Sequence, residues 1–369
     1  MRIRLSWVGA LGVLIAGPRV AGAVNPLCSS LPDPIVVTGS SAVGPFIQEM
    51  GKVLAGQTLP VTLIYQSQGS CTGVNAIVAN APITGTATYY DTTGAALTCD
   101  LDPAPVGTKV DVGMSDVFVD SCTGQPVPAG VGQFSGPVEA MLFVAPKASQ
   151  QQAITAEEAF FAFGYGAAGM AKPWTVETNL MRRNALSGTQ GILARSIAVP
   201  PGRWKGVDKS NSQGVLDAVV GSASAESTVG ILGSDFYDAH RDVLKSLAFQ
   251  AFHQNGAYFA DSTATSFDKR NVRDGHYVNF GYLHLISKVD TQGVPSTPAS
   301  KRFVDWVTGN TDAASGTPAP FMIFDITIKA KLVPGCAMKV QRASEGGVIA
   351  PFKPATDCGA QFEAAVASH

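Results

Sequence analysis

The stretch IVVTGSSAVGP, residues 35–45, joins a short β-branched run to a turn of small residues and then to a proline. β-Branched residues favour strands, and proline suits the first position of a helix. Phe46, Met50 and Leu54 then fall on one helical face, and Gly56 ends the segment. The stretch therefore predicts a strand, a tight turn and an amphipathic helix.

The same pattern returns along the chain. Residues 61–65 predict a second strand, 66–71 a polar turn and 72–79 a second helix, and a third strand at 110–116 ends in Ser115 and Asp116. A β-α-β-α-β order implies a parallel sheet with helices on its faces. Ligands of such sheets lie beyond the carboxyl ends of the strands, where all three polar turns fall. Each turn alone fits an ordinary tight turn, but three together favour a site.

Beyond residue 116 the elements are simpler to read. Residues 80–109, rich in Thr, Ala and Pro, are interpreted as an irregular insertion. Apolar runs predict strands at 139–145, 228–232 and 277–287, and helical patterns predict helices at 155–163, 212–220 and 300–307. The segment from residue 336 to residue 358 looks irregular and stapled by its two cysteines. Neither a repeat nor a low-complexity linker divides the chain.

A cation, two hydroxyls and a glycine stand together before one further helix. Arg183 is followed by Ser187-Gly188-Thr189 and then by a helical pattern over residues 190–195. If Ser187 or Thr189 caps this helix, the free backbone N–H groups of the first turn and the positive end of the helix dipole lie close to the two hydroxyls. Such an arrangement binds anions. The glycine permits close approach, and arginine matches an oxyanion. Taken alone, the stretch fits equally an ordinary capped helix beside a surface arginine.

The composition is that of a globular, exported chain. Its 369 residues suffice for about two domains, and 46% are hydrophobic against 15% charged. Residues 1–23 read as a signal peptide, with an Arg-containing start, an apolar run and an Ala-Gly-Ala cleavage site. Those residues carry three arginines and no acid, so the mature chain has 23 basic and 28 acidic residues, a formal charge of −5. Without a basic run, nucleic acid is not an expected partner.

Six cysteines in an exported chain favour disulfides. The local pairings are Cys99 with Cys122 and Cys336 with Cys358, which leaves Cys28 with Cys71, although six cysteines allow 15 pairings. Because neither a C-x-x-C motif nor a cysteine–histidine cluster occurs, no zinc site is expected.

Signatures of hydrolytic catalysis are missing from the sequence. It contains neither a G-x-S-x-G elbow nor an H-E-x-x-H motif, and its five histidines are scattered without ligand spacing. Asp116 has no evident second carboxylate for acid–base chemistry. We expect neither an enzyme, a metal nor a cofactor, with a weak phosphatase activity left open.

The polar turns carry a resemblance to a known family. The motifs are TGSSAV at 38–43, GSCTGV at 69–74, GMSD at 113–116, and Arg183 followed by Ser187-Gly188-Thr189. In this order and spacing they resemble the PstS-like periplasmic phosphate-binding proteins of ABC transporters and the related DING proteins. The resemblance covers roughly residues 34–310. It implies an α/β class II periplasmic-binding-protein fold, in which each of two lobes is a mainly parallel sheet flanked by helices and the ligand lies in the cleft.

The same resemblance implies a division of the chain. A discontinuous lobe I would comprise 24–135 and 280–335, lobe II would comprise 136–279, and 336–369 would form a disulfide-stapled tail after the signal peptide, 1–23. The mature protein would be a soluble, periplasmic or secreted monomer. It would capture inorganic phosphate by closure of the cleft and deliver it to an ABC permease.

The binding residues are carried over one at a time. The first turn would contribute from Ser40, Ser41, Ala42 and Val43, and the second from Ser70. Arg183 would pair with the anion, Ser187, Gly188 and Thr189 would donate to it, and Asp116 would accept the proton that phosphate still carries. Ala42 stands where the family usually has a threonine, and Ala185 where it often has an acid. These departures keep three alternatives open: another oxyanion such as sulfate or a molybdate-like ion, a phosphatase-like protein, or an adhesion module on the same fold.

Overall fold

The computed structural model describes residues 25–309 and 322–367. The predicted signal peptide at 1–23 lies outside these residues. None of the helices in the described ranges is long and apolar enough to cross a membrane.

The predicted β-α-β-α-β unit is confirmed. It consists of β1 (Pro34–Gly39), α1 (Gly44–Ala55), β2 (Thr62–Ser67), α2 (Ser70–Val78) and β5 (Val112–Ser115). Strands β2 and β5 lie parallel to β1 on its two sides, so the carboxyl ends of all three strands meet at one edge.

The interpretation of residues 80–109 as irregular was wrong. They contain β3 (Thr86–Tyr90) and β4 (Ala96–Asp100), an antiparallel hairpin that continues the sheet beyond β2. Ala, Gly and Pro interrupt the strand signal of Thr and Tyr in this segment, and the hairpin forms because β2 offers an edge and Cys99 is tied to Cys28. Neither the free edge of β2 nor the disulfide can be recognised from the periodicity of the sequence.

Two strands join the halves of the molecule. β6 (Val131–Pro146) pairs along its first part with β13 (Phe280–Lys288), and along its last part with β10 (Val229–Gly233) and β11 (Leu244–Ser246). The strand order is β4-β3-β2-β1-β5-β13-β6-β10-β8-β9, with β11 also paired to β6. The sequence predicted only residues 139–145 of β6. Its earlier part, with small and polar residues, gives no apolar signal.

The second lobe is built on β10, β8 (Leu180–Arg182) and β9 (Val207–Asp208), which are parallel to one another. Its helices are α4 (Ala156–Tyr165), α5 (Gly188–Ser196), α6 (Ser212–Val220), α7 (Ser234–Ala239) and α8 (Arg270–Arg273). A small parallel pair, β7 (Ala153–Thr155) and β12 (Ala248–Gln250), packs beside them. In both lobes, therefore, a parallel centre is flanked by antiparallel strands.

The lobes have separate cores. In the first lobe, α3 (Val119–Thr123) lies near α2, while α9 (Pro298–Thr308) and α10 (Ile323–Lys329) cover the sheet with α1. Phe46, Met114 and Phe303 are among its fully buried side chains. The core of the second lobe surrounds Phe143 and Phe163 and extends to Phe362 of the tail.

The tail is more regular than the sequence suggested. Its cysteine bond, Cys336–Cys358, is confirmed, but it also holds a short hairpin, β14 (Val340–Gln341) with β15 (Ala350–Pro351), and a helix, α11 (Gly359–Val366). Buried Arg273 fastens it to the second lobe, because its Nη1 lies 2.7 Å from an oxygen of Glu363 and its Nε donates to the Ala337 carbonyl.

The other two predicted disulfides were wrong. The structure joins Cys28 to Cys99 and Cys71 to Cys122. Pairing by sequence proximity fails here because the sheet places Cys28 beside β4, through the Leu27–Asp100 bridge, and packs α2 against α3. The turn at Ser70 is thus braced from α3 rather than from the N-terminal segment.

Candidate functional site

Four turns from both lobes meet in the cleft. Residues 39–43 follow β1, Ser70 opens α2 after β2, Asp116 follows β5, and the 183–189 segment follows β8. The lobes touch directly at this point, because the Cys71 N–H donates to the Leu186 carbonyl at 3.1 Å. All ten residues expected at the site lie on these four segments, so the fold brings them to one region.

Asp116 is the centre of the first lobe's contribution. Its side chain is buried, and Oδ2 accepts hydrogen bonds from the Ser40 hydroxyl at 2.6 Å and the Ser70 hydroxyl at 3.1 Å. Its other oxygen, Oδ1, is buried and has no hydrogen-bond partner among the described residues. An orphaned buried acceptor is costly, so Oδ1 is suited to accept a proton from a ligand.

Electrostatics favours a proton at this place. Burial raises the pKa of Asp116 above the usual range of an aspartate, although the hydroxyls of Ser40 and Ser70 and the charge of Arg183 oppose the shift. Because the net shift in the pKa of Asp116 is upward, its carboxyl group holds a proton more readily than an aspartate in water does. A ligand that brings its own proton satisfies this requirement.

Arg183 supplies the cation from the second lobe. It is 2% exposed, and its Nε donates to the Ser210 carbonyl at 3.1 Å while Nη1 donates to the Ser212 hydroxyl at 3.2 Å. Burial lowers its pKa to about 10, so it stays protonated at neutral pH. Ser41 of the first lobe shares the Ser212 hydroxyl, at 3.1 Å, so Ser212 links the guanidinium to the opposite lobe.

The N-terminus of α5 completes the arrangement. Of the two residues that the sequence offered as its N-cap, Ser187 takes that position and accepts from the Gln190 N–H at 3.3 Å, while Thr189 lies within the helix. A Cβ added to Gly188 would stand 2.4 Å from Ser70 Oγ and 2.7 Å from Asp116 Oδ2. The first turn of α5, which includes buried Thr189, therefore packs directly against Asp116. The positive end of the helix dipole faces the same place. We call these converging groups the anion cage; it comprises Ser40, Ser41, Ser70, Asp116, Arg183, Ser187, Gly188, Thr189 and Ser212.

Ala42 and Val43 contribute backbone rather than side-chain groups to this region. The Ala42 N–H donates to Ser40 Oγ at 3.1 Å, and the Val43 carbonyl accepts from Ile47 at the start of α1. Both side chains are buried. Without a threonine in this turn, the hydroxyl groups come from Ser40 and Ser41.

Several residues of the region escaped sequence reasoning. Ser212 and Gln190 orient Arg183, the latter by accepting from its backbone N–H at 2.9 Å. Ser212 looked only like the first residue of a helix, and Gln190 like an interior one. Glu139 and Asp235 form a buried acid pair beside the cage. The one signal for it was a lone acid, Glu139, inside the apolar run of β6.

The Glu139–Asp235 pair is strongly perturbed. Both side chains are buried, and a Cβ placed on Gly233 would lie 1.8 Å from Glu139 Oε1 and 2.8 Å from Asp235 Oδ1. Burial raises the pKa of Glu139 well above its usual range, and the nearby Asp235 and Asp116 charges add to the rise. Burial likewise raises the pKa of Asp235 to about 8. At neutral pH the pair therefore holds a proton rather than carrying two negative charges.

The histidines of the described residues do not assemble into a metal site. Within the described ranges, no group of three or more His, Cys, Asp or Glu residues is placed to hold a metal ion. His284 is buried against Phe118 and has its pKa lowered to about 3 by burial. It is neutral at any ordinary pH.

Comparison with known proteins identifies the fold. No protein-family model and no curated protein sequence matches the chain. Among solved structures, it is similar to a phosphate ABC transporter substrate-binding protein with bound phosphate from Clostridium perfringens, with a TM-score of 0.54, 12% identity, and coverage of 82% of this chain and 99% of that one. It is also similar to an ABC-type phosphate transport receptor from Vibrio cholerae, with a TM-score of 0.50, 11% identity, and coverage of 82% and 100%.

The class of fold follows from these matches and from the sheet. The chain has the two-lobed α/β fold of class II periplasmic binding proteins, with the cleft between the lobes. At 11–12% identity the likeness defines the fold alone. The identity of the ligand depends on the residues that this chain places in the cleft.

Proposed function

We propose that this chain is an exported solute-binding protein that captures inorganic phosphate in its cleft and passes it to an ABC permease. The observation that carries the proposal is the orphaned, buried Oδ1 of Asp116 beside the Arg183 guanidinium and the α5 N-terminus. The cage offers one acceptor among many donors. That set matches a tetrahedral oxyanion that still carries a proton.

The binding energy is within reach of the contacts available. Charge-assisted hydrogen bonds contribute roughly 1.5–3 kcal/mol each. Micromolar binding requires about −8 kcal/mol, which a handful of such bonds supplies after the costs of closure. The mature chain is negatively charged overall, so the attraction has to be local. Arg183 and the α5 dipole provide it.

Asp116 also supplies a mechanism of selection. Monohydrogen phosphate can donate its proton to Oδ1, whereas sulfate has no proton to donate near neutral pH. Sulfate would have to bind with Asp116 protonated, so its affinity should fall as pH rises above the pKa of Asp116. A polar site with an unpaired group can reject such an analogue by roughly 10⁴–10⁵.

The division of the chain belongs to the same proposal. We place lobe I at 24–135 and 280–335, lobe II at 136–279 and the tail at 336–369. The shared strands β6 and β13 support crossings near residues 136 and 279. Binding rather than catalysis, a periplasmic or secreted location and a monomeric state are proposed with it.

The test is calorimetry on the mature protein with phosphate and then sulfate, at about pH 7 and about pH 9. We expect micromolar or tighter phosphate binding at both values, and sulfate binding at least about 100-fold weaker that weakens further at the higher pH. No heat and no thermal shift with millimolar phosphate would end the proposal. Equal affinity for phosphate and sulfate would mean that the site binds oxyanions in general and does not select phosphate.

A further inference from the structure

A cavity lies between the lobes beside α5, and it reaches the N-terminus of that helix, because Ala185 and the N-cap residue Ser187 are among its lining residues. It has a volume of about 380 Å³. The first lobe lines it with Cys71, Val117 and Ser121, the second lobe with Ala194 and Arg195 of α5, and the tail with Glu345. This volume lies in the range of small-molecule sites. The cavity adjoins the anion cage, because Ser187 lines the cavity and also belongs to the cage.

Glu345 is a buried acid without a close partner. Its side chain is 1% exposed, and neither carboxylate oxygen has a hydrogen-bond partner among the described residues. The nearest cation is Arg342, whose Nη1 is 3.8 Å away. Arg342 is engaged elsewhere, because its Nη2 donates to the Val278 carbonyl at 2.6 Å and its guanidinium lies over Phe280.

Arg195 brings the opposite charge to the same cavity. Its stem packs against the backbone of Gly346, where an added Cβ would be 3.1 Å from Cδ, and its Nη2 donates to Ser121 at 3.4 Å. Yet Glu345 and Arg195, both described residues, form no ion pair within 4 Å of each other. An acid and a base thus line one cavity without neutralising each other, while the rest of the lining is mostly small and apolar.

The surroundings of Glu345 favour an added cation. Burial raises its pKa to about 7, the charges of Arg342 and Arg195 lower it, and those of Asp116 and Asp120 raise it. These groups come from the tail, from α5 and from the segment at the end of β5 and in α3. A buried carboxylate is stabilised when a cation with hydrogen-bond donors reaches it. An alkylammonium group has three donors and an apolar stem.

We propose that this cavity binds a small zwitterion of amino-acid size, with its ammonium group on Glu345 and its anionic group on Arg195. A ligand with both charges satisfies both residues, whereas an amine alone leaves Arg195 unmatched and an acid alone leaves Glu345 unmatched. The site adjoins the anion cage at Ser187, but its two charged residues, Glu345 and Arg195, are not members of the cage.

The position of the cavity also implies coupling to the cage. A ligand there touches both lobes and the helix whose first turn belongs to the cage. It would therefore favour the closed arrangement, and a cage ligand would favour it too. By linkage, each ligand raises the affinity of the other by the same factor, which we expect to be about fivefold or more.

The experiment is a calorimetric and thermal-shift comparison on the full mature chain. The zwitterion probes are glycine, γ-aminobutyrate and ε-aminocaproate, which span different charge separations; n-butylamine and butyrate are the single-charge controls. We expect one zwitterion to bind in the millimolar range or tighter, with n-butylamine and butyrate at least about tenfold weaker. Glu345→Gln and Arg195→Gln should each weaken that zwitterion about tenfold or more. The control Glu157→Gln, at an exposed position of α4, should not.

Folding and pH provide independent checks. The thermal unfolding midpoint of Glu345→Gln, compared with wild type, reports whether the variant is folded, whatever the cage binds. Zwitterion binding should strengthen from about pH 6 to about pH 8 in the wild type, as Glu345 ionises, and stay flat in Glu345→Gln. If no zwitterion binds at millimolar concentration while the protein is folded, the site is refuted. It is equally refuted if binding survives both substitutions. Neither result bears on phosphate binding in the cage.

Discussion

Asp116 and the Glu139–Asp235 pair are buried acids in the same part of the molecule, but their neighbours differ. Asp116 accepts from two hydroxyls and feels the charge of Arg183, which leaves one oxygen for a ligand. Asp235 accepts one hydrogen bond, from the Phe236 N–H at 2.6 Å, Glu139 accepts none from the described residues, and the pair holds a proton at neutral pH. The same chemical group therefore serves as a selective acceptor in one place and as a neutralised structural pair in the other.

The difference lies in which elements surround each carboxyl. The turns around Asp116 come from both lobes and bring hydroxyls, amides and a guanidinium. The pair lies where Glu139 of β6 meets Gly233 and Asp235 at the start of α7, and no cation there offsets its burial. Burial with few donors and no nearby cation raises the pKa of an acid until it holds a proton, whereas hydroxyl donors and a cation oppose that rise at Asp116.

The largest expected effect comes from filling the contact between the lobes. Gly188→Val should lower phosphate affinity by more than about 100-fold, because its Cβ alone would stand 2.4 Å from Ser70 Oγ and would push α5 away from Asp116. Gly191→Ala on the same helix is the control, since its added Cβ would meet Val117 at an ordinary 3.4 Å. Calorimetry measures both. Equal affinities in the two variants would remove the α5 N-terminus from the cage.

A neighbouring pair of arginines gives the next effect. Arg183→Gln should weaken phosphate binding by about 10–100-fold through loss of a charge-assisted hydrogen bond. Arg182→Gln, which alters a side chain directed to the Gly206 carbonyl and Asp208, should change it by less than about threefold. The two dissociation constants are compared at the same ionic strength. A similar loss in both would show that only the general positive charge matters.

The acid pair gives a smaller effect, seen in stability. The folded pKa of Asp235, about 8, exceeds that of an unfolded aspartate, so the folded chain binds more protons and loses stability as pH rises from about 4 through about 8. Asp235→Asn removes this contribution, and at about pH 9 its free energy of unfolding should exceed that of the wild type by about 1–3 kcal/mol.

Urea unfolding of both proteins at about pH 5, 7 and 9 checks this prediction. The increase in the free energy of unfolding of Asp235→Asn over wild type should grow with pH. The ratio of phosphate to sulfate affinity in Asp235→Asn should stay within about threefold of the wild-type ratio. A gain that is constant with pH would mean that the pair does not hold a proton. A lost anion preference would place Asp235 in the cage.

Local patterns were enough to predict much of the cage. The β-branched runs with polar turns fix where β1, β2 and β5 end, and parallel strands bring those ends together. The Ser187 cap is likewise a local signal. Ser212 and the Glu139–Asp235 pair could not be predicted in the same way, because their roles depend on contacts across about 30 to 100 residues of sequence. The predicted partners of Cys28 and Cys71 were wrong for the same reason, because the packing of the sheet and its helices, and not proximity along the chain, determines which cysteines pair.

The most direct test of the account is the ratio of phosphate to sulfate affinity in the wild type and in Asp116→Asn, measured by calorimetry at about pH 8. The amide carries no negative charge against sulfate, and its NH2 group can donate a hydrogen bond to an anion oxygen that has no proton. We predict that the wild type prefers phosphate over sulfate by more than about 100-fold and that Asp116→Asn narrows this ratio by at least about tenfold. An unchanged ratio would contradict the selection of a protonated oxyanion by Asp116.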